Sequence, residues 1–183
     1  MRSTIAAIIR AIEPYDSLEQ EHRSQTIAWV ESGVPLCRIA KPATPPQHLV
    51  SYFVLYDSCE QQILLVDHKT SGLWLPSGGH VEPDEHPATT VLREAQEELR
   101  IAADFLFPQP LFLTITQTVG TTAGHTDISL WYVLRGDSQQ LLDFDHNEFH
   151  QTAWFAVDKI PYERTDPHMA RFVRKLNQRQ SSA

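Results

Sequence analysis

Three glutamates set close together, Glu94, Glu97 and Glu98, are the residues of this chain best suited by type and spacing to do chemistry. They lie in the stretch from Gly79 to Ile101, GHVEPDEHPATTVLREAQEELRI, whose second half carries a helical pattern. His86-Pro87 suits a first helical turn. Val91, Leu92, Ala95 and Leu99 recur at helical spacing as one apolar stripe. At 3.6 residues per turn the three carboxylates fall within roughly 100° of one another, on the side away from that stripe. Glu94 and Glu98 form an i, i+4 like-charge pair, which alone costs about 0.2–0.5 kcal/mol. A divalent cation that prefers oxygen ligands removes that cost and turns the cluster into a site. The preceding Gly78-Gly79 has no side chain to hold its carbonyls away from such an ion. The bland alternative is a solvated charged helix with an Arg93–Glu97 surface pair. It leaves the acid clustering and the glycine pair without a reason.

The same residues resemble the signature of the Nudix hydrolases: Gly79, five residues, Glu85, seven residues, then Arg93-Glu94-Ala95-Gln96-Glu97-Glu98. The opening glycine and every charged position agree. Two positions depart, with a small Ala95 where a bulky aliphatic residue is common and Arg100 where the pattern closes on glycine. Arg100 must either prolong the helix or take a left-handed conformation at about 1 kcal/mol. Ser77 stands where a glycine is frequent, with little chemical effect expected.

The resemblance implies an α+β fold, specifically an α/β/α sandwich with a Nudix-like mixed sheet over roughly residues 48–178. It also implies Mg²⁺-dependent hydrolysis, with Mn²⁺ as a substitute, of the pyrophosphate linkage in a nucleoside diphosphate joined to another moiety, nucleoside triphosphates included. Carried over residue by residue, Glu94, Glu97, Glu98 and the carbonyl of Gly78 are metal ligands. Arg93 orients the glutamates by ion pairing, and Glu85 supports that network. The general base stays open among Glu97, Glu98 and Glu148, the last in the acidic run DFDHNEF before Trp154, where family members often carry a functional glutamate. A nucleotide-sensing binding or regulatory protein without turnover is the alternative from another class. The intact Arg93, Glu94, Glu97 and Glu98 favour hydrolysis.

Other candidates are weaker. Lys69, two residues before Ser71-Gly72, could reach a substrate phosphate, although a lysine there is more often just exposed. His125 and Asp127, in GHTDIS, suit a turn at a strand entry better than catalysis. His146 and His150 are spaced for a metal pair only if helical, and the surrounding composition is that of a loop. Phe53, Trp74 and Trp131 could stack on a base but suit a core equally well. His80-Val81-Glu82 has the form of half a zinc-deaminase motif, but the Pro-Cys-x-x-Cys segment that chemistry needs is missing.

A net charge of −8 with no compensating basic run speaks against a nucleic-acid surface. Arg171, Arg174, Lys175 and Arg179 read as the solvated face of a terminal helix. Cys37 and Cys59 are the two cysteines, too few for a disulfide framework, and are expected as buried or inert thiols. Arg10 and Glu13 interrupt the N-terminal apolar run before a signal-peptide core can form, and no stretch approaches a membrane span. The expectation is a cytoplasmic protein acting on a nucleotide-type small molecule, without nucleic-acid or membrane partners.

Around the motif the sequence predicts these elements. Ile5, Ile8, Ile9 and Ile12 mark an amphipathic helix over 3–13. A second helix begins at Asp16 or Ser17, with a Ser17–Gln20 capping box, and stops near Gly33. This hairpin, residues 1–45, forms a helical N-terminal extension that covers the following domain, pairs with another copy as a homodimer, or shapes a pocket. PATPP at 42–46 is the boundary to a domain over 46–183. Strands are expected at 48–56, 61–67, 73–76, 111–119, 127–134 and 154–157, with a turn at 120–124 and loop over 136–152. An amphipathic helix over 167–179 ends the chain.

Overall fold

The computed structural model describes residues 1–40, 44–118 and 124–181. Residues 42 and 43 of the proline-rich connector, Val119, and 120–123 of the glycine-bearing turn lie outside them.

The spine is β1 (Gln47–Asp57), an apolar, β-branched and aromatic run whose side chains alternate between two cores. Phe53 and Leu55 point into one, Val54 and Tyr56 into the other. Beside it β6 (Thr126–Arg135) runs parallel, in register from Gln47 opposite Thr126 to Tyr56 opposite Arg135. Its residues alternate likewise: Leu130, Tyr132 and Leu134 to the first core, Trp131 and Val133 to the second. On its far side β5 (Phe112–Gln117) pairs antiparallel. The other flank of β1 is shared by β4 (Ser77–His80) and β2 (Gln62–His68), and β2 also carries β3 (Leu73–Leu75) and β7 (Phe149–Ala156). Helices α1 (Arg2–Ala11) and α3 (Pro87–Leu99) cover the first face, and α4 (Met169–Ser181) covers the second. The result is the mixed-sheet α/β/α sandwich expected from the sequence, preceded by two helices.

The second of these, α2 (Ser17–Glu31), is tied to the sheet and to α4 at once. Asp16 caps it by accepting the Glu19 N–H at 2.9 Å. Glu19 is fully buried and accepts from the Leu113 N–H of β5 at 3.1 Å and from Lys175 Nζ of α4 at 2.7 Å. His22 Nδ1 accepts from the Ile115 N–H at 3.2 Å, and Arg171 Nε reaches Asp16 at 2.7 Å. Ile5, Ile8, Ile9 and Ile12 join the core beneath α3. Of the three roles open to the hairpin, covering the sheet is the one these contacts fulfil.

Several local expectations change. Leu92 is 47% exposed and leaves the apolar stripe to Val91, Ala95 and Leu99, all buried. The cap of α2 uses Asp16 and Glu19 instead of Ser17 and Gln20. The Ser77-Gly78-Gly79 segment is strand β4, and β7 starts at Phe149 inside the expected loop, because Phe149 is buried. Arg171 and Lys175 turn inward to Asp16 and Glu19 and are not a solvated face. Cys59 is exposed and Cys37 half-buried. No helix among the described residues is long and apolar enough to cross a membrane.

Candidate metal and catalytic site

The site grows from the C-terminal half of α3, which carries the three glutamates, and the β4 strand beneath it. His86 caps the helix, its Nδ1 accepting the Ala88 N–H at 3.1 Å, and Pro87 opens the first turn. Burial of Val91, Ala95 and Leu99 fixes the helix rotation. That rotation sets Glu98 and Glu94 against β4 and leaves Glu97 on the rim, its side chain 60% exposed.

Glu98 is 6% exposed. Its Oε2 accepts from the Ser77 hydroxyl and from the Gly78 N–H at 2.9 Å. Among the described residues no basic side chain pairs with it, and burial pushes its carboxyl up to about 8. Glu94 is also raised, first by burial, while Arg93 opposes the rise. The glycine pair is sterically required here. Gly78 sits at φ +140°, and a Cβ on it would collide with the Ser51 carbonyl oxygen. A Cβ on Gly79 would collide with the Glu94 carboxylate.

Arg93 is the organiser. Its Nε and Nη2 donate to the two oxygens of Glu85 at 3.1 and 3.2 Å, and its Nη1 reaches Glu94 at 2.6 Å and Glu97 at 3.4 Å. Nη2 also donates to the His80 carbonyl at 3.3 Å. Thr90 Oγ1 and the Glu82 N–H hold Glu85 from the other side. A planar five-donor fork is what allows one side chain to align three carboxylates. One buried and one half-buried carboxylate, a third at the rim and the neighbouring Gly78 carbonyl make an all-oxygen donor set. Such a set fits Mg²⁺, which takes oxygen ligands.

Glu148 is exposed in the turn before β7, close enough for its charge to contribute to the raised pKa values of Glu94 and Glu98. That turn is docked by the Asp145 N–H on the Glu98 carbonyl at 2.8 Å. Lys69 is exposed beside it: its N–H donates to the Glu148 carbonyl at 2.9 Å and its ammonium to the His146 carbonyl. The structure thus brings Glu85, Arg93, Glu94, Glu97, Glu98 and Gly78 together, with Glu148 and Lys69 at the margin. Phe53, Trp74 and Trp131 are core residues. His146 and His150 lie in a turn and a strand, so no helical pair forms. A groove of about 440 Å³ between the α1–α2 turn, residues 107–111 and α4 touches none of the motif residues.

Two things escaped the sequence. Ser77, expected to matter little, hydrogen-bonds the buried glutamate. His48, His80, His125 and Asp127 converge so that one ligand atom from each lies within 4.8 Å of all the others. The His125 carbonyl also accepts the Thr118 N–H at 3.0 Å.

The comparisons with known proteins follow this geometry. Residues 46–176 match the NUDIX domain family. No curated protein matches the chain. Among solved structures, a NUDIX-family hydrolase from Clostridium perfringens is similar at TM-score 0.55 and 17% identity, over 72% of this chain and 97% of that one. A MutT protein from Methanosarcina mazei Go1 gives 0.58 and 19%, over 74% and 96%. An Ap4A hydrolase from C. elegans gives 0.52 and 20%, over 73% and 99%. At these identities the likeness is one of fold.

Proposed function

The chain belongs to the NUDIX family and is an enzyme of the pyrophosphohydrolase kind, and we propose that it is a Mg²⁺-dependent hydrolase of the pyrophosphate linkage in a nucleoside diphosphate joined to another moiety, nucleoside triphosphates included. The observation that carries this reading is the pair Glu94 and Glu98, both pressed by α3 against a glycine pair that leaves no room for a side chain. Glu98 in particular is buried with no basic partner among the described residues, an arrangement that costs stability unless a cation completes it.

Glu94 and Glu98, with Glu97 at the rim and the Gly78 carbonyl, would hold the ion. Bound Mg²⁺ supplies Lewis acidity toward the phosphoryl oxygens. Arg93 keeps the glutamates in one orientation, and Glu85, anchored by Thr90, keeps Arg93 in place. The attacking water must lose a proton to a carboxylate. Glu148 is our choice, since it is exposed at the margin of the site, whereas Glu98 has one oxygen committed to Ser77 and Gly78. Lys69, held beside Glu148, is placed to meet a substrate phosphate once it lets go of the His146 carbonyl. We further propose a homodimer, a cytoplasmic location and a domain division between residues 45 and 46.

The test is turnover of a panel of nucleoside diphosphate derivatives and triphosphates with Mg²⁺ or Mn²⁺, read by mass spectrometry. Glu98→Gln should cut turnover by about 10²–10⁴-fold, the range for losing a positioned acid–base or charge-stabilising group, while the fold survives. Tight nucleotide binding by the wild type with no product on any substrate would replace the hydrolase reading with a sensor.

A further inference from the structure

We propose that His48, His80, His125 and Asp127 form a second metal site, closed and structural, that takes a transition-metal ion of the zinc class. This goes beyond the hydrolase reading and shares no ligand with it. The ligands come from three adjacent strands at one end of the sheet. His48 on β1 lies directly opposite Asp127 on β6 in the parallel register, His125 directly precedes β6, and His80 ends β4 across from Val50.

The geometry already approaches a coordination polyhedron. His48 Nε2 is 3.2 Å and His125 Nε2 3.4 Å from Asp127 Oδ1. Ligand atoms of a tetrahedral zinc ion with bonds of about 2.0–2.1 Å stand about 3.4 Å apart. The His48 and His125 rings stack at 4.9 Å and the His48 and His80 rings lie at 4.7 Å, so the imidazoles are gathered side by side.

Among the described residues, the facing atoms of His48, His80 and Asp127 also lack a hydrogen-bond partner. His48 has a completely buried side chain, and its Nε2 makes no hydrogen bond. Neither do His80 Nε2 and Asp127 Oδ1, which are buried too. The Nδ1 of His48 lies 3.0 Å from the Pro45 carbonyl, an acceptor, so Nδ1 carries the proton and donates. Nε2 then faces the Asp127 carboxylate oxygen at 3.2 Å, and a cation between the two would bind both. A carbonyl on the outer nitrogen is also how ligating histidines are usually fixed in tautomer and orientation.

Three imidazole nitrogens and one carboxylate select the ion class. Mg²⁺ wants oxygens, whereas imidazole suits zinc and its neighbours. Four protein ligands fill a tetrahedral shell and leave no position for water, the mark of a structural site. The ion would pin β1, β4 and β6 together where the motif begins, one residue from Gly79. His80 links the two sites directly, because its carbonyl receives the Arg93 guanidinium.

The test uses the full chain, stripped with a chelator and dialysed against Zn²⁺ or Co²⁺. We expect about one Zn²⁺ per chain, a higher melting temperature on reloading, and the intense visible bands of tetrahedral cobalt. His80→Asn, at a half-buried position, should weaken Zn²⁺ binding by at least about 100-fold, since losing even an outer-shell partner costs 10–100-fold. Glu94→Gln/Glu98→Gln should keep both the zinc and the cobalt bands while losing turnover, which separates this site from the hydrolytic one. No tetrahedral cobalt spectrum in folded wild type would overturn the proposal. Zinc lost with the two glutamates and retained in His80→Asn would overturn it equally.

Discussion

Glu19 and Glu98 are both buried glutamates on helices, and the protein treats them in opposite ways. Glu19 is charge-paired and has donors on both oxygens: Lys175 contributes a salt bridge at 2.7 Å and the Leu113 N–H a hydrogen bond to one oxygen, and the Tyr15 N–H a hydrogen bond to the other. Glu98 receives only a hydroxyl and one N–H, both on a single oxygen. The first arrangement is complete within the chain and knits α2, β5 and α4 together. The second is incomplete and lies against the backbone of the glycine pair. A buried carboxylate with all its partners is architecture, and one left short of a cation is a place where something binds.

The largest effect expected on stability follows from breaking the complete member. Lys175→Met strands the Glu19 charge in the core and should cost about 3–5 kcal/mol, as removal of one partner of a buried pair does. For a chain of this length that is a drop in melting temperature on the order of 10 °C. Glu19→Gln/Lys175→Met should recover most of it, since no unpaired charge then remains. Glu98→Gln is the contrasting case: it should leave the metal-free melting temperature unchanged or raised, and abolish the rise that Mg²⁺ gives the wild type. A Glu98→Gln loss as large as that of Lys175→Met would erase the distinction between the two glutamates.

A smaller effect is expected from acid. The Arg171 hydrogen bond, the leading cause, holds Asp16 from 3.8 down to about 2. A carboxylate with a depressed folded pKa stabilises the fold above its unfolded pKa, and this contribution is lost as pH falls through the folded value. The difference in melting temperature between wild type and Arg171→Gln should therefore be present at neutral pH and vanish between about pH 4 and pH 2. Smallest of all is Arg100→Gly. Arg100 ends α3 at φ +55°, ψ +30°, the left-handed conformation that was one of two options read from the sequence. Glycine there should relieve up to about 1 kcal/mol, or 2–4 °C, less what is lost with the Arg100 hydrogen bonds to the Gln96 and Glu97 carbonyls.

The site on α3 was legible in the sequence because it is local. Helical spacing alone gathers Glu94 and Glu98, and Arg93 and Glu85 lie on or just before the same helix. The strands β1 and β6 were equally plain, since each is buried on both faces and reads as a nearly continuous apolar run. What could not be read depends on pairing between distant segments. His48 meets Asp127 only through a parallel register that no local pattern reveals. Lys175 and Arg171 looked solvated because their partners, Glu19 and Asp16, lie more than 150 residues away. Ser77 seemed a neutral replacement because its value comes from the strand it occupies beneath Glu98. Leu92, by contrast, was misread on the helix itself, where the apolar stripe is narrower than hydrophobicity suggests.

β5 has a further consequence for the molecule's behaviour in company. It lies at the margin of the sheet, yet the amide protons of Leu113 and Ile115 are already taken by Glu19 and His22. Those amides are what a foreign strand would need to zip onto, and unsaturated margins of this kind are common seeds of aggregation. Two side chains from the leading hairpin thus act as a selvedge along this border, and self-association of the intact protein has to find another surface.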